Sequence, residues 1–324
     1  MKKTLALIIT LAAAISLSGC APTNPADAVF AGVKQTCKNF VTGKNADSIQ
    51  VDGAKGQVPT VKFATPLTSK VVETKVISEG TGPKITGDQL AQFDFVGVNA
   101  GTGKVFQATK FDGSDRVSQY LRSGSNPDFC GALAGVREGS RVAVLFPAAL
   151  AHQNNGVADL GIGKDQGIVF VFDISKVYLP YAVGDSEAAQ SGMPSVVRAT
   201  TGEPGVTIPK TSAPKDEKVS VLIKGRGAVV KADDKITVHY SGFLWSDGSQ
   251  FDSSWTTGQP ATFQLTKGQL IDGFIEALVG KTVGSQVLAV IPPDKGYGNQ
   301  VAGAIPANST LVFVMDILGT ESTK

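Results

Sequence analysis

Residues 238–254 read VHYSGFLWSDGSQFDSS. Lys235–Leu244 alternates in the two-residue rhythm of a half-buried strand. Trp245-Ser246-Asp247-Gly248 then supplies a turn, Asp-Gly being a strong hairpin signal, and Ser249–Asp252 starts the returning strand. Working outward, Val219–Lys224 is a further alternating segment, cut off by Gly225-Arg226-Gly227. Leu270, Ile271, Phe274 and Leu278 recur at helical spacing, so a helix is predicted over Leu270–Leu278 and closed by Gly280. Val287–Ile291 and Leu311–Leu318 are apolar, β-branched strands. The expected architecture is α+β: an antiparallel sheet wrapped over one short helix.

The same pattern stands 145 residues earlier. Pro59 falls on Pro204, Val61 on Val206, Gly97 on Gly242, Gly103 on Gly248 and Phe106 on Phe251. Phe129 meets Phe274, Leu133 meets Leu278, Gly139-Ser140 meets Gly284-Ser285, and Pro147 meets Pro292. After a two-residue slip, Phe170 meets Phe313 and Asp173 meets Asp316. One offset sustained this far marks a tandem duplication. The units are predicted at 48–179 and 193–324, joined by a polar linker over 180–192.

With 42% apolar and 18% charged residues, the 324-residue chain can build two cores and is not disordered. Its 37 glycines and 16 prolines suit turn-rich β structure. The net charge of +2 comes from Lys2 and Lys3, so the remainder is formally neutral. No basic cluster interleaves with aromatics, which speaks against nucleic-acid binding. Two histidines and three cysteines offer no metal-ligand spacing, and no serine sits in a GxSxG elbow.

Lys2 and Lys3, the apolar stretch Leu5–Leu17, and Leu17-Ser18-Gly19-Cys20 have the layout of a secretory signal. Its end resembles a bacterial lipobox. The expectation is a signal over 1–19, acylation of Cys20, and a small, polar, proline-containing tether over 20–47 holding the body off a membrane. The localisation that follows is the extracytoplasmic face of a bacterial membrane. An exported chain seldom keeps two free thiols, so Cys37 and Cys130 are candidates for a disulfide, the alternative being two buried unpaired cysteines. Closing a loop of about 90 residues would contribute about 4 kcal/mol by chain entropy alone.

The second unit resembles the FKBP-type peptidyl-prolyl isomerases. The resemblance is carried, in order, by Val238-His239-Tyr240-Ser241-Gly242, Gly248–Ser254, Leu270-Ile271-Asp272-Gly273-Phe274, Val283-Gly284-Ser285, Ile291–Gly298, Ile305-Pro306 and Ser309–Phe313. It implies a proline-binding cleft with Phe274 as its floor, where the family usually has tryptophan. Tyr240, Phe251, Leu270, Ile305 and Phe313 would be its walls, Asp252 and Tyr297 polar groups at its rim, and the Ile271 N–H the holder of a substrate carbonyl. Tyr240, Asp252 and Tyr297 are the implied catalytic residues. An aromatic wall position carries Ala261, and the loop before Ile305 is short and has no histidine, so an altered sequence preference is expected. No cofactor or metal is implied. The implied partners are proline-containing segments of exported proteins and the macrolide inhibitors of the family.

In the first unit Tyr240 becomes Phe95, Asp252 becomes Gln107 and Tyr297 becomes His152. The helix start reads Asn126-Pro127-Asp128-Phe129-Cys130. The framework stays while the polar groups vanish, so this unit reads as degenerate, a spacer or binding platform. His239 is expected to be structural, on the strand face opposite Tyr240, and His152 to lie in a loop. Two rival functions remain at this stage: a module that grips proline segments with little turnover, and a solute-binding lipoprotein, which shares the export signal but not the duplicated pattern.

Overall fold

The computed structural model describes residues 24–38, 41–188 and 190–322; the segment read as a signal, and Cys20 with it, lies outside them. Two antiparallel sheets are built in the same way. The first contains β1 (Glu73–Ser78), β2 (Gln89–Asn99), β3 (Val105–Ala108), β4 (Val117–Leu121), β5 (Arg141–Phe146) and β6 (Ile168–Val177). Its order is β1-β5-β6-β2-β3, with β4 also on β2. A short edge strand β7 (Asp185–Ser186) leads to the second sheet. That sheet holds β8 (Lys218–Lys224), β9 (Lys235–Leu244), β10 (Gln250–Ser253), β11 (Ala261–Gln264), β12 (Gln286–Ile291) and β13 (Leu311–Glu321). Its order, β7-β8-β12-β13-β9-β10 with β11 on β9, repeats the first and adds β7 at the edge.

The glycine pairs of the duplication have a steric reason. A Cβ at Gly242 would overlap the ring of Phe251, and one at Gly97 the ring of Phe106. Both sites let an aromatic side chain lie flat across the neighbouring strand. The two-residue slip also has a place. The connection from β5 to β6 spans 147–167, and the one from β12 to β13 spans 292–310, two residues shorter.

Several strands are more buried than an alternating reading implies. All six residues of β5, and all six of β12, are buried. The cause is a small hairpin laid over the outer face of each sheet, Gln50–Asp52 with Thr60–Lys62 in the first unit and Ser195–Arg198 with Pro204–Thr207 in the second. Val51 and Val61 pack against the cluster around Val96, Val98 and Val171. Val196 and Val206 pack against that around Phe243, Leu288 and Val312.

Each inner face carries a helix, α2 (Phe129–Leu133) or α4 (Asp272–Leu278), besides the short α1 (Pro25–Val29) and α3 (Ser254–Thr257). The helix predicted from Leu270 starts at Asp272 instead. Ile271 is its N-cap, with an extended ψ of 141°, so Leu270 and Ile271 form an extended lead-in. Gly273 lets the first turn approach Ile291 on β12.

The N-terminal segment, expected as a tether pinned only by a disulfide, is docked along its described length. Asn24 caps α1 by accepting from Ala26 N at 2.9 Å, and its amide donates to Thr81 O at 2.9 Å. Asp27 receives both Arg137 guanidinium nitrogens at 2.9 Å. Phe30 packs against the cores of both units. Cys37 is disulfide-bonded to Cys130 on α2, with Cα atoms 5.6 Å apart. The linker is docked as well. Val183 enters the second core together with Tyr178 and Leu179 at the end of the first unit, and Ala182 N donates to Asp316 Oδ2 at 2.8 Å.

Candidate active site

The cleft of the second unit lies over the junction of β9, β13 and α4. Tyr240 on β9 is opposite Met315, and Gly242 opposite Phe313, so Tyr240 and Phe313 share the face that looks toward α4. Phe274, the third residue of α4, is buried at 3% exposure and forms the floor. Its ring meets Phe313 edge-on at 5.3 Å, Phe263 at 5.6 Å and Tyr240 at 6.3 Å. Phe251 completes the ring of aromatics, 5.5 Å from Phe313. Such perpendicular pairs set positive ring edges against negative faces, which fixes the box as well as burying it.

The cavity so enclosed measures about 670 Å³ and is lined by Tyr240, Phe251, Asp252, Leu270, Ile271, Phe274, Tyr297 and Phe313, among others. Eight of the nine residues expected from sequence are therefore brought together. Ile305 is placed elsewhere: it is 5% exposed, within the core cluster that also holds Phe274 and Phe313, and is not on the wall. The wall position read as Ala261 is occupied by Phe263, two residues further along β11. Ala261 and Phe263 share a face because the strand period is two, so the aromatic wall lies one period further along β11. Lys267 and Gln269 also line the cavity and were not expected.

Its polar groups sit at the rim. The Tyr240 hydroxyl donates to Asp252 Oδ2. Burial, reinforced by that bond, pushes the Tyr240 phenol well above its usual range, so it stays a donor at alkaline pH. Ile271, as N-cap of α4, presents an N–H that donates to no acceptor among the described residues, and it lines the cavity. Tyr297 is 41% exposed and follows the turn Pro293–Lys295. That turn is fastened by Lys295, whose Nζ lies 3.0 Å from Glu217 and also bonds Glu276 on α4. The carboxylates of Glu276 and Glu217 hold the Lys295 ammonium above its ordinary range.

The equivalent place in the first unit carries phenyl rings and no phenol or carboxylate counterpart of Tyr240 and Asp252. Phe129 packs 5.5–5.7 Å from Phe146, Phe170 and Phe172, and Phe95 lies 6.0 Å from Phe170. His152 faces its own loop, its Nδ1 accepting from Gly156 N at 3.0 Å and its Nε2 donating to Gln166 O at 2.8 Å. On the reverse side of β9, His239 is 2% exposed, stacks on Trp255 at 3.9 Å and bonds Ser254 Oγ through Nδ1 at 2.9 Å. Among the described residues, no group of three or more His, Cys, Asp or Glu is placed to hold a metal.

A closed aromatic box with a hydroxyl–carboxylate pair at its mouth and an unengaged N–H beside it suits an apolar ring attached to a peptide carbonyl. The family model for FKBP-type peptidyl-prolyl cis-trans isomerase matches residues 227–318. FK506-binding protein of Streptomyces anulatus is 36% identical over 118 residues, covering 36% of this chain and 95% of that protein. FK506-binding protein 2 of Podospora anserina is 45% identical over 93 residues, 29% of this chain and 50% of its own length, so the chain spans half of that relative. Among solved structures, FkpA from Escherichia coli aligns with a TM-score of 0.32 and 34% identity over 42% of this chain and 54% of that one. The chain belongs to the FKBP-type peptidyl-prolyl cis-trans isomerase family, and the segment that places it there is the second unit.

Proposed function

We propose that the second unit isomerises X–Pro bonds in exported polypeptides, on the outer face of a bacterial membrane to which Cys20 is joined by lipid. The observation that carries the catalytic part is the aromatic box with the Tyr240–Asp252 pair and the Ile271 N–H at its edge. The barrier of about 18–20 kcal/mol comes from amide resonance, so no nucleophile or metal is required. The twisted imide has lost conjugation and is less polar than either planar isomer. A box that strips water from it while gripping the pyrrolidine ring favours that twisted state over the ground state. The Ile271 N–H is aimed to hold the neighbouring carbonyl, and Asp252 keeps the Tyr240 hydroxyl oriented toward the rim. A macrolide inhibitor of the family would compete for the same box. Export is supported by the sequence of residues 1–20 and by the disulfide.

The first unit contributes no turnover on this reading, because phenyl rings stand where the second unit has Tyr240 and its rim lacks the hydroxyl–carboxylate pair. The test uses the full chain and a proline tetrapeptide. Tyr240→Phe combined with Asp252→Asn should lower kcat/KM of the folded protein by more than about tenfold while the aromatic box stays in place. Full residual activity would refute the role given to the Tyr240–Asp252 pair. Tight peptide binding without turnover in the unaltered chain would make the protein a proline-binding module. Mass spectrometry of the native protein should find acyl chains on Cys20, and a soluble, unacylated mature chain would refute the anchor.

A further inference from the structure

A second cavity, of about 560 Å³, lies between the units, and neither unit could form it alone. Its walls come from the docked N-terminal segment (Lys34), the first unit (Tyr120, Arg122), the linker (Tyr181), the turn after Arg198 (Glu203) and α3 (Trp255). Three aromatic rings therefore face one space. The Arg122 guanidinium lies 5.4 Å over the Tyr120 ring and has no carboxylate partner among the described residues. Lys34 likewise has none for its ammonium. Asp88, the nearby acid of the first unit, is already engaged, accepting from Ser123 N at 2.7 Å and Thr36 Oγ1 at 3.3 Å. Glu203 is the other lining carboxylate, so Lys34 and Arg122 face Asp88 and Glu203 and the lining is formally neutral, with the Arg122 guanidinium still unpaired. Flat rings that cover a backbone, with a guanidinium among them that has no carboxylate partner, suit an extended polypeptide that brings an acidic side chain to that guanidinium.

The place of this cavity relative to the box gives it a use. His239 and Tyr240 are successive on β9 and point to opposite faces, Tyr240 into the box and His239 toward the second cavity. Ser254 Oγ bonds both, accepting from Tyr240 N at 2.9 Å and meeting His239 Nδ1 at 2.9 Å. Asp252 at the box and Trp255 at the cavity are three residues apart, across β10, the edge strand of the sheet. That is a path of about 10 Å along the chain. A polypeptide leaving the box past Asp252 crosses one edge strand to reach Trp255.

We propose that the inter-unit cavity is an exosite for the polypeptide substrate, taking the chain that flanks the proline and seating an acidic side chain of it on Arg122. This rests on the isomerase reading of the box. It gives the first unit a part in substrate binding without any chemistry of its own, and it makes Lys34, held near by the Cys37–Cys130 disulfide, part of the substrate surface.

The test uses the full chain, a proline tetrapeptide, and 14-residue peptides with a central proline and one Glu placed four to six residues to either side, or Gln in its place. One orientation of the Glu peptide should be turned over with kcat/KM about tenfold above the tetrapeptide, as one charge-assisted contact allows, mostly through KM. Arg122→Ser should remove that gain and Arg122→Lys should keep part of it, while the tetrapeptide is processed equally by all three proteins. Fluorescence anisotropy with the labelled Glu peptide should show the same loss in affinity. Equal kcat/KM for long and short peptides, or an undiminished gain in Arg122→Ser, would overturn the exosite. If even the tetrapeptide is not turned over, the isomerase reading fails, and the anisotropy comparison of Arg122→Ser with the unaltered chain still decides the exosite.

Discussion

Asp252 and Tyr297 are exposed and touch little besides the rim of the box, whereas Phe274 is its buried floor. Their substitutions should therefore separate. Asp252→Asn and Tyr297→Phe should each lower kcat/KM about three- to tenfold, the kinetic equivalent of one hydrogen bond of about 1 kcal/mol. Stability should move by less than about 1 kcal/mol, read as the denaturant midpoint. Phe274→Ala should cost about 3–5 kcal/mol as well as activity, because lost burial and an unfilled cavity add. Rim variants that unfold the protein as Phe274→Ala does would make those residues structural. A second residue-scale effect concerns acid. Burial lifts the Asp316 carboxyl to about 6, so folding takes up a proton there and Asp316 favours the fold more as pH falls from 6 to 4. Burial depresses His239 to about 4, so in that same window unfolding takes up a proton and His239 weakens the fold. The two residues are cross-strand partners with opposing slopes. Asp316→Asn should steepen the loss of stability between pH 6.5 and 4, and His239→Gln should flatten it. Parallel midpoint-against-pH curves for both variants would show that neither group titrates as placed.

At the scale of elements, the turn that presents Tyr297 depends on Lys295, which bridges Glu217 at the start of the sheet and Glu276 on α4. Lys295→Met should raise KM for proline peptides more than it lowers kcat, because the turn loosens while the box stays intact. Unchanged kinetics would mean that the turn is held without the lysine. The strands, the turn at Asp247-Gly248 and the framework glycines were legible in the sequence because period and turn chemistry are local. What was not legible depended on pairing partners. Phe263 faces the box because β11 pairs Phe263 with Ile236 of β9, a register no local pattern reveals, so the wall was placed at Ala261. The full burial of β5 and β12 depends on hairpins that lie some seventy or more residues away in sequence. The helix start at Asp272 was misplaced by two residues because Leu270 and Ile271 are apolar for the cavity, not for a helical face.

At the scale of the whole molecule, the duplication was readable from one offset, whereas the way the copies are fastened was not. Of the attachments of residues 24–37, the disulfide at Cys37 was readable from cysteine usage, whereas the Asp27 ion pair and the packing of Phe30 against both cores were not. Cys37→Ser with Cys130→Ser should lower the denaturant midpoint by the equivalent of about 2–5 kcal/mol, and alkylation of the unreduced native protein should label neither cysteine. Quantitative labelling without reductant would refute the bridge. The central claim is that a proline-isomerising box with a hydroxyl–carboxylate rim exists in one unit and that the other has lost that rim. The measurement that bears on it most directly is catalysed cis/trans exchange of a proline tetrapeptide by the full chain against the same chain carrying Tyr240→Phe and Asp252→Asn. Catalysis in the first and kcat/KM lower by more than about tenfold in the second, with both proteins folded, is the expected result. Equal catalysis by both proteins would contradict the account.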